Sequence, residues 1–345
     1  MENIIRFTEA DLLKYTAQRS GEIKFGERVQ TLPRDVPDVL EFIKASDAEF
    51  VLIGIPEDMG TRANYGQAGA ATAWKSALKS IVNLQHNKFC KGNRLLILGQ
   101  IDVTALQEPS QNIDAGTKEG RKELSLLVEK LDKDVSHIIC QVIKAGKIPI
   151  VIGGGQNNAY GNIKGTALAK GKPVNAINYG THANFRIPGV RHSGNGFSYA
   201  FDEGFLKNYF IFGLHENYAP KGVMETIKKH TDRIRFNTYE QIAIRKEKHF
   251  SEEMALATGF IADEPFGLEI SLNALPNVAS SAMTNTAFSI EKARQFIDYF
   301  GQHKNVAYFH ICEGATEPDY ASTNELTGKL IAYLVTDFMK AKKIV

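Results

Sequence analysis

Residues 147–158 read Lys-Ile-Pro-Ile-Val-Ile-Gly-Gly-Gly-Gln-Asn-Asn. The first half is a short continuous apolar run, and the second half is a glycine turn followed by three amides. An apolar run of this length that stops at glycines is typical of a strand buried on both faces of a parallel sheet. The stretch therefore predicts a strand that ends in a tight loop, at the sheet edge where α/β proteins bind ligands.

Seven more apolar runs repeat this pattern along the chain. They cover residues 50–56, 94–99, 174–179, 209–213, 233–236, 266–272 and 306–312. Amphipathic stretches separate them, and residues 124–145 show apolar side chains at helical spacing. We therefore predict a three-layer α/β fold with a mainly parallel, eight-stranded sheet and helices on both faces. Residues 1–45 are predicted to be a lead-in segment, and residues 46–345 a single domain.

Composition and charge narrow the class of protein. The chain has 345 residues, a formal charge of +2, 43% hydrophobic and 23% charged residues. This balance is that of an ordinary globular protein, and it predicts neither a nucleic-acid partner nor a membrane partner. Three cysteines without a C-x-x-C spacing argue against a disulfide framework and a thiolate zinc site. We expect a cytoplasmic protein.

Two further segments place polar residues directly after predicted strands. Residues 178–186 read Asn-Tyr-Gly-Thr-His-Ala-Asn-Phe-Arg, and residues 269–276 read Glu-Ile-Ser-Leu-Asn-Ala-Leu-Pro. With Gly153–Asn158 they form a set of three loops that the parallel sheet would bring to one edge.

These three segments resemble the motifs of the arginase, agmatinase and formimidoylglutamase family, and most of all those of formimidoylglutamase. In that family the segments read Gly-Gly-Gly-His-Glu or Gly-Gly-Asp-His, then Asp-Ala-His-x-Asp-x-Arg, then Ser-x-Asp-x-Asp. The resemblance extends from about residue 50 to about residue 340, with further matches at residues 54–60, 98–102 and 310–313. It implies an arginase-like fold and a site where two manganese ions activate water to attack a guanidino or formimino carbon.

The resemblance also implies which residues stand at the six metal-ligand positions. These are Gln156, Gly180, His182, Asn184, Ser271 and Asn273. Only His182 is of the type that the family uses. Two divalent ions need anionic ligands, so the sequence predicts no metal cofactor, no metal ligand and no catalytic residue. A relocated metal near Glu269 and His182 is the alternative.

A vestigial ligand pocket is predicted from the same loops. Its residues are Gln156, Asn157, His182, Asn184, Glu269, Ser271, Asn273 and Glu313. His182 is expected to be held by Glu269 or a backbone carbonyl, although an acid–base role is open. Glu313 either faces a cationic ligand or makes structural hydrogen bonds. Arg186 either accepts a ligand carboxylate or forms ion pairs within its loop, and Cys312 is predicted to be a buried, inert thiol.

The leading functional hypothesis is a catalytically inactive, metal-free member of the ureohydrolase family, a pseudoenzyme that binds a small ligand or has a regulatory or assembly role. The alternative is an active formimidoylglutamase-like C–N hydrolase with a rearranged site. A third hypothesis is a scaffold partner of an active homologue. The expected ligand is small and cationic or amino-acid-like, and the resemblance implies a homo-oligomer.

Overall fold

The computed structural model describes residue 1, residues 3–316 and residues 321–342, and within that part the chain forms one ten-stranded sheet. The strands are β1 (Ile4–Arg6), β2 (Gln30–Thr31), β3 (Phe50–Gly54), β4 (Leu95–Ile101), β5 (Ile148–Ile152), β6 (Val174–Tyr179), β7 (Leu206–Leu214), β8 (Ile234–Thr238), β9 (Phe266–Ser271) and β10 (Val306–Cys312). Their order is β1-β4-β3-β5-β10-β9-β6-β7-β8, with β2 paired to β4. All pairs are parallel except β1 with β4.

The prediction of a mainly parallel α/β sheet is confirmed, but the predicted number of eight strands is wrong. All eight predicted runs form strands, as β3 to β10. The two additional strands, β1 and β2, have three and two residues and pair with β4. Strands this short carry no periodic apolar pattern, so only their pairing reveals them. The division of the chain at residue 45 remains a prediction.

Helices connect the strands and cover both faces. They are α1 (Glu9–Tyr15), α2 (Val39–Ala45), α3 (Met59–Ala63), α4 (Ala73–Val82), α5 (Thr104–Ser110), α6 (Lys118–Lys144), α7 (Asn158–Lys170), α8 (Gly196–Asp202), α9 (Lys221–Lys229), α10 (Phe250–Ile261), α11 (Ile290–Gly301) and α12 (Ala321–Ala341). Helix α6 begins after Thr117, whose hydroxyl accepts the Gly120 N–H. Among the described residues, no helix is long and apolar enough to span a membrane.

Alternating side chains of each central strand enter different apolar cores. Leu52 of β3 packs in the core that contains Trp74 of α4 and Leu334 of α12. Its neighbours Val51 and Ile53 pack in the core that contains residues of α6. Successive strand residues point to opposite faces, so the unbroken apolar runs follow from burial on both sides.

This topology determines where the three loops meet. Strands β5, β10, β9 and β6 are consecutive neighbours in the middle of the sheet. The loops that leave their carboxyl ends are therefore adjacent, although more than 150 residues separate the first from the last along the chain. That edge is the usual position of ligand sites in α/β sheets.

Candidate functional site

A pocket of about 220 Å³ lies above the carboxyl ends of these central strands. Five of the eight predicted pocket residues line it: Gln156, His182, Asn184, Asn273 and Glu313. The other three, Asn157, Glu269 and Ser271, lie outside its lining and are 1% exposed or less. The parallel sheet thus brings together the residues that follow strand ends. It places the strand residues Glu269 and Ser271 beneath them.

Gln156 and Glu313 form the floor of the pocket. The Glu313 carboxylate is 3% exposed and accepts hydrogen bonds from the Gln156 N–H at 2.7 Å, the Thr61 hydroxyl at 3.1 Å and the Ser281 hydroxyl. Burial raises the pKa of Glu313, and these three donors oppose that shift. Three donors that converge on one carboxyl group stabilise its charged form while they hold it towards the pocket.

The backbone around the pocket adopts unusual conformations. Glu313 has φ = 63°, and Asn184 and Tyr65 have φ = 47° and 64°. These are three of the five non-glycine residues with positive φ among the described residues, and all three line the pocket. A left-handed conformation costs a side-chain-bearing residue about 1–3 kcal/mol, and such strain concentrates at functional sites.

The glycine turn of residues 153–155 has a steric explanation. Gly154 has φ = 72°, and a Cβ atom there would lie 2.7 Å from Glu57 Oε1 and 2.2 Å from Asn158 Nδ2. The fully buried Glu57 accepts from the Gly155 N–H, Asn157 Nδ2 and Asn158 Nδ2 at 2.9, 3.1 and 2.7 Å. Burial raises the pKa of Glu57. Asn157 therefore supports the turn from below instead of facing the pocket.

The loop of residues 180–195, which we call the wall, forms another side of the pocket. Its His182 ring stacks on Tyr218 with ring centroids 5.1 Å apart, and its Nδ1 lies 2.9 Å from the Thr181 hydroxyl. Burial, with smaller effects of His215 and Arg186, lowers the pKa of His182 to about 4. His182 is therefore neutral near pH 7. The expected contact with Glu269 is not made, since Glu269 binds other residues.

Glu269 belongs to a fully buried group beneath the floor, which we call the lower layer: Glu269, Tyr308, His310 and Cys312. The Glu269 carboxylate contacts the Tyr308 hydroxyl at 2.8 Å, His310 Nδ1 at 2.6 Å and Gln156 Nε2 at 3.0 Å. The sequence places His310 in the last predicted strand, residues 306–312, but it was not among the predicted pocket residues. The available signal was its spacing, because His310 and Cys312 are two residues apart and share one face of β10.

Three buried carboxyl groups, which are negative when ionised, lie in and below the floor of the pocket. Glu57, Glu269 and Glu313 are each 3% exposed or less, and none of them forms an ion pair with a lysine or arginine among the described residues. A cation at the floor would offset this charge. Gln156 Oε1 and Asn273 Oδ1 are buried and lack a hydrogen-bond partner in the same part of the chain. They are free to accept from a ligand.

Positive charge lies on the wall. Arg186 is exposed, lines the pocket, and its guanidinium forms no ion pair among the described residues. Arg191 is 1% exposed, and its Nε and Nη2 donate to Asp132 of α6 at 2.8 and 2.9 Å. Its Nη1 also donates to Asn195 Oδ1 at 2.8 Å. Arg191 therefore anchors the wall, and Arg186 is free to contact a ligand.

The model of the arginase family matches residues 48–340 of this chain. The chain belongs to the arginase family. Its relatives include the formimidoylglutamase of Chromobacterium violaceum, 26% identical over 183 residues that cover 52% of this chain and 52% of the relative. The matched segment thus spans about half the length of this curated relative, and the chain is formimidoylglutamase-like.

Solved structures share the whole fold. Formiminoglutamase of Trypanosoma cruzi, solved with Mn²⁺, superposes with a TM-score of 0.69 at 17% identity and covers 93% of this chain and 100% of its own. Formimidoylglutamase of Bacillus subtilis gives a TM-score of 0.71 at 16% identity, with 94% and 93% of the two chains covered. At these identities the likeness establishes the arginase-like fold.

The prediction of no metal cofactor is wrong. Formiminoglutamase of Trypanosoma cruzi, which shares this fold, was solved with Mn²⁺. The physical premise was also too narrow, because it required anionic residues at the six motif positions and treated Glu269 only as part of a relocated site. The structure places the carboxylates elsewhere, at Glu313 in the floor and Glu269 below it. With the unpartnered amide oxygens of Gln156 and Asn273, and neutral His182, the pocket contains oxygen and imidazole donors of the kinds that suit Mn²⁺.

Proposed function

We propose that the pocket binds a small, amino-acid-like organic cation that carries a formimino or guanidino group. The observation that carries this proposal is the buried Glu313 carboxylate, which faces the pocket and has three neutral hydrogen-bond donors but no cationic partner among the described residues. A buried charge without a partner is costly, so a cationic ligand at this position stabilises the site.

The pocket has opposite charges at its two ends, which matches a ligand with two charged groups. Glu313 lies in the floor, whereas the exposed Arg186 lies at the rim. A guanidinium group is well shaped to bind a carboxylate. An amino-acid-like compound would direct its amidinium end to Glu313 and its carboxylate end to Arg186.

Two unpartnered oxygens make the floor suited to planar N–H groups. Gln156 Oε1 and Asn273 Oδ1 are acceptors only, and both residues line the pocket. An amidinium or guanidinium group has several N–H donors in one plane, so it satisfies these acceptors together with Glu313. The relatives are formimidoylglutamases, a name that supports the same ligand class.

Hydrolysis of the bound amidine is the second candidate function, and the protonation state of His182 favours it. Because burial lowers the pKa of His182 to about 4, its imidazole is neutral near pH 7 and serves either as a metal ligand or, in the absence of metal, as a proton acceptor. Mn²⁺ would be held by Gln156, His182, Asn184, Asn273 and Glu313, and when bound it lowers the pKa of a coordinated water. Binding without turnover, in a regulatory or assembly role, is the other outcome. The homo-oligomeric state and the cytoplasmic localisation of the protein remain predictions.

Titration calorimetry tests the binding proposal with formimidoylglutamate, arginine and agmatine, each with and without Mn²⁺. Glu313→Gln keeps the size of the side chain and removes its charge. We expect at least about 30-fold weaker binding, about 2 kcal/mol, as for other buried charge pairs that lose one partner. Glu253→Gln is the matched control, since Glu253 is also a buried carboxylate but does not line the pocket.

Product analysis of the same samples distinguishes hydrolysis from ligand binding alone. Release of formamide or ammonia from formimidoylglutamate, or of urea from arginine or agmatine, supports hydrolysis if it is abolished in Glu313→Gln. Binding without product at every Mn²⁺ concentration supports a purely ligand-binding role. Equal affinity of Glu313→Gln and the unaltered chain for all three ligands contradicts the proposal.

A further inference from the structure

The lower layer contains a second set of metal-binding atoms, which the proposed function does not use. Glu269 lies on β9, and His310 and Cys312 lie on β10. All three residues are fully buried. A carboxylate oxygen, an imidazole nitrogen and the Cys312 Sγ lie within 4.8 Å of one another.

The sheet itself holds these atoms together. Glu269 is directly opposite His310 in the parallel register of β9 and β10, and Ser271 is opposite Cys312. Residues two apart on a strand point to the same face, so His310 and Cys312 project to the side where Glu269 lies. Strand positions fix side chains more rigidly than loops do.

We propose that Glu269, His310 and Cys312 form a mononuclear site for Zn²⁺ or an ion of similar softness. One thiolate, one imidazole and one carboxylate are ligands that zinc accepts in four-coordinate sites. Zinc–sulfur and zinc–nitrogen bonds of about 2.3 and 2.1 Å place neighbouring ligand atoms roughly 3–4 Å apart. The observed separations of up to 4.8 Å need only small side-chain adjustments to reach that geometry.

The residues around the cluster resemble the supporting shell of a metal site. His310 Nε2 lies 3.5 Å from the Gly153 carbonyl oxygen, which directs Nδ1 towards Glu269. The Tyr308 hydroxyl donates to Glu269 Oε1 at 2.8 Å and leaves Oε2 facing His310. Metal-bound histidines and carboxylates are usually oriented by such contacts.

Gln156 gives an independent indication of a ligand. It is 1% exposed and lies between the pocket and the lower layer, where its Nε2 donates to Glu269 Oε2 at 3.0 Å. Its Oε1 is buried without a partner among the described residues. Rotation of this amide would open a path from the pocket and offer an oxygen as a fourth ligand.

Metal binding would change protonation but not oxidation state. The Cys312 thiol loses its proton, and the metal displaces the proton of the hydrogen bond between Glu269 Oε2 and His310 Nδ1. Both protons pass to solvent. Of the six motif positions only Gln156 takes part, so the site shares this one residue with the cation pocket above it.

The experiment removes metal from the purified chain with a chelator and reloads it with Zn²⁺ or Co²⁺. We expect about one equivalent of zinc to be retained after desalting, and X-ray absorption to show one sulfur ligand at about 2.3 Å. The Co²⁺ form should show a thiolate-to-cobalt charge-transfer band. Cys312→Ser should lose that band and bind zinc at least about tenfold more weakly.

Cys140→Ser is the matched control, because Cys140 is also a buried thiol but lies on α6. It should keep the band and the zinc. Circular dichroism checks that both variants fold. Failure to retain zinc, or a metal with only nitrogen and oxygen ligands, would overturn this proposal, whereas ligand binding at Glu313 would be unaffected.

Discussion

The floor and the wall of the pocket are built in different ways, although they face the same ligand volume. The two floor residues, Gln156 and Glu313, lie in the loops after strands β5 and β10. Glu313 is held there by three hydrogen bonds from separate segments. The wall is a 16-residue loop, residues 180–195. Its polar contacts to the body centre on the buried Arg191, which binds Asp132 of α6. The floor contains the buried carboxyl group of Glu313, whereas the wall has no acidic residue and contains Arg186 and Arg191.

This difference supports the proposal that the pocket binds a cation although its motif positions carry no negative charge. The residues at the motif positions of the wall, Gly180, His182 and Asn184, carry no negative charge. The negative charge instead lies in and under the floor, at Glu313 and Glu269, where the sheet sets its position. Strands constrain side chains more tightly than loops do, so charge in the floor is held without help from the wall.

The largest expected effect comes from removing the anchor of the wall. Arg191→Leu leaves Asp132 buried without its partner, and we expect the free energy of unfolding to fall by about 3–5 kcal/mol. Denaturant unfolding measures this change. Arg245→Leu is the control, because Arg245 pairs with Glu216 at the surface and its loss should cost much less than that of Arg191. Equal effects of the two substitutions would show that Arg191 does not anchor the wall.

A smaller effect concerns the acid sensitivity of the wall. Burial, then Arg186 and Arg191, lower the pKa of His192 to about 4, from an ordinary value of 6.5. The unfolded chain therefore takes up the proton first, so this stability is present above pH 6.5 and is lost as pH falls towards 4. Between about pH 7 and about pH 5, we expect the free energy of unfolding to fall by roughly 1–2 kcal/mol less in His192→Asn than in the unaltered chain.

Urea unfolding of both proteins across that range checks this prediction. Asparagine can still accept the Gly194 N–H that His192 Nδ1 now accepts at 3.0 Å. Parallel pH profiles of the variant and the unaltered chain would mean that His192 does not contribute to acid sensitivity.

The smallest expected effect concerns Arg186 at the rim of the pocket, whose contribution to ligand affinity differs from that of the floor. Arg186→Gln should weaken binding of arginine about fivefold, roughly 1 kcal/mol, because an exposed charge contributes little. Agmatine has the same guanidinium group but no carboxylate, so its affinity should not change. A similar loss for both ligands would show that Arg186 does not recognise a carboxylate.

Most of the fold could be predicted from the sequence because the eight buried strands are continuous apolar runs. Strands β1 and β2 could not, because strands of three and two residues give no periodic signal. Five of the residues predicted for the pocket lie together there, since each follows a strand end or lies in the loop after it. Parallel topology alone explains this placement.

The rest of the site depends on contacts between distant segments. Thr61 and Ser281 donate to Glu313 across 252 and 32 residues, and Ser281 lies in an irregular segment without a recognisable pattern. The pairing of Glu269 with His310 depends on the register of β9 and β10. Motif positions alone therefore gave the wrong charge for the site, and that error led to the incorrect expectation about the metal.

We propose that the floor of the pocket selects a cation, and a pair of matched ligands tests this selectivity. Formimidoylglutamate carries an amidinium group, whereas formylglutamate has nearly the same shape with a neutral amide. Competition binding at neutral pH should favour formimidoylglutamate by at least about 30-fold, and this preference should disappear in Glu313→Gln. Equal affinity of the unaltered chain for the two compounds would show that the floor does not select a cation.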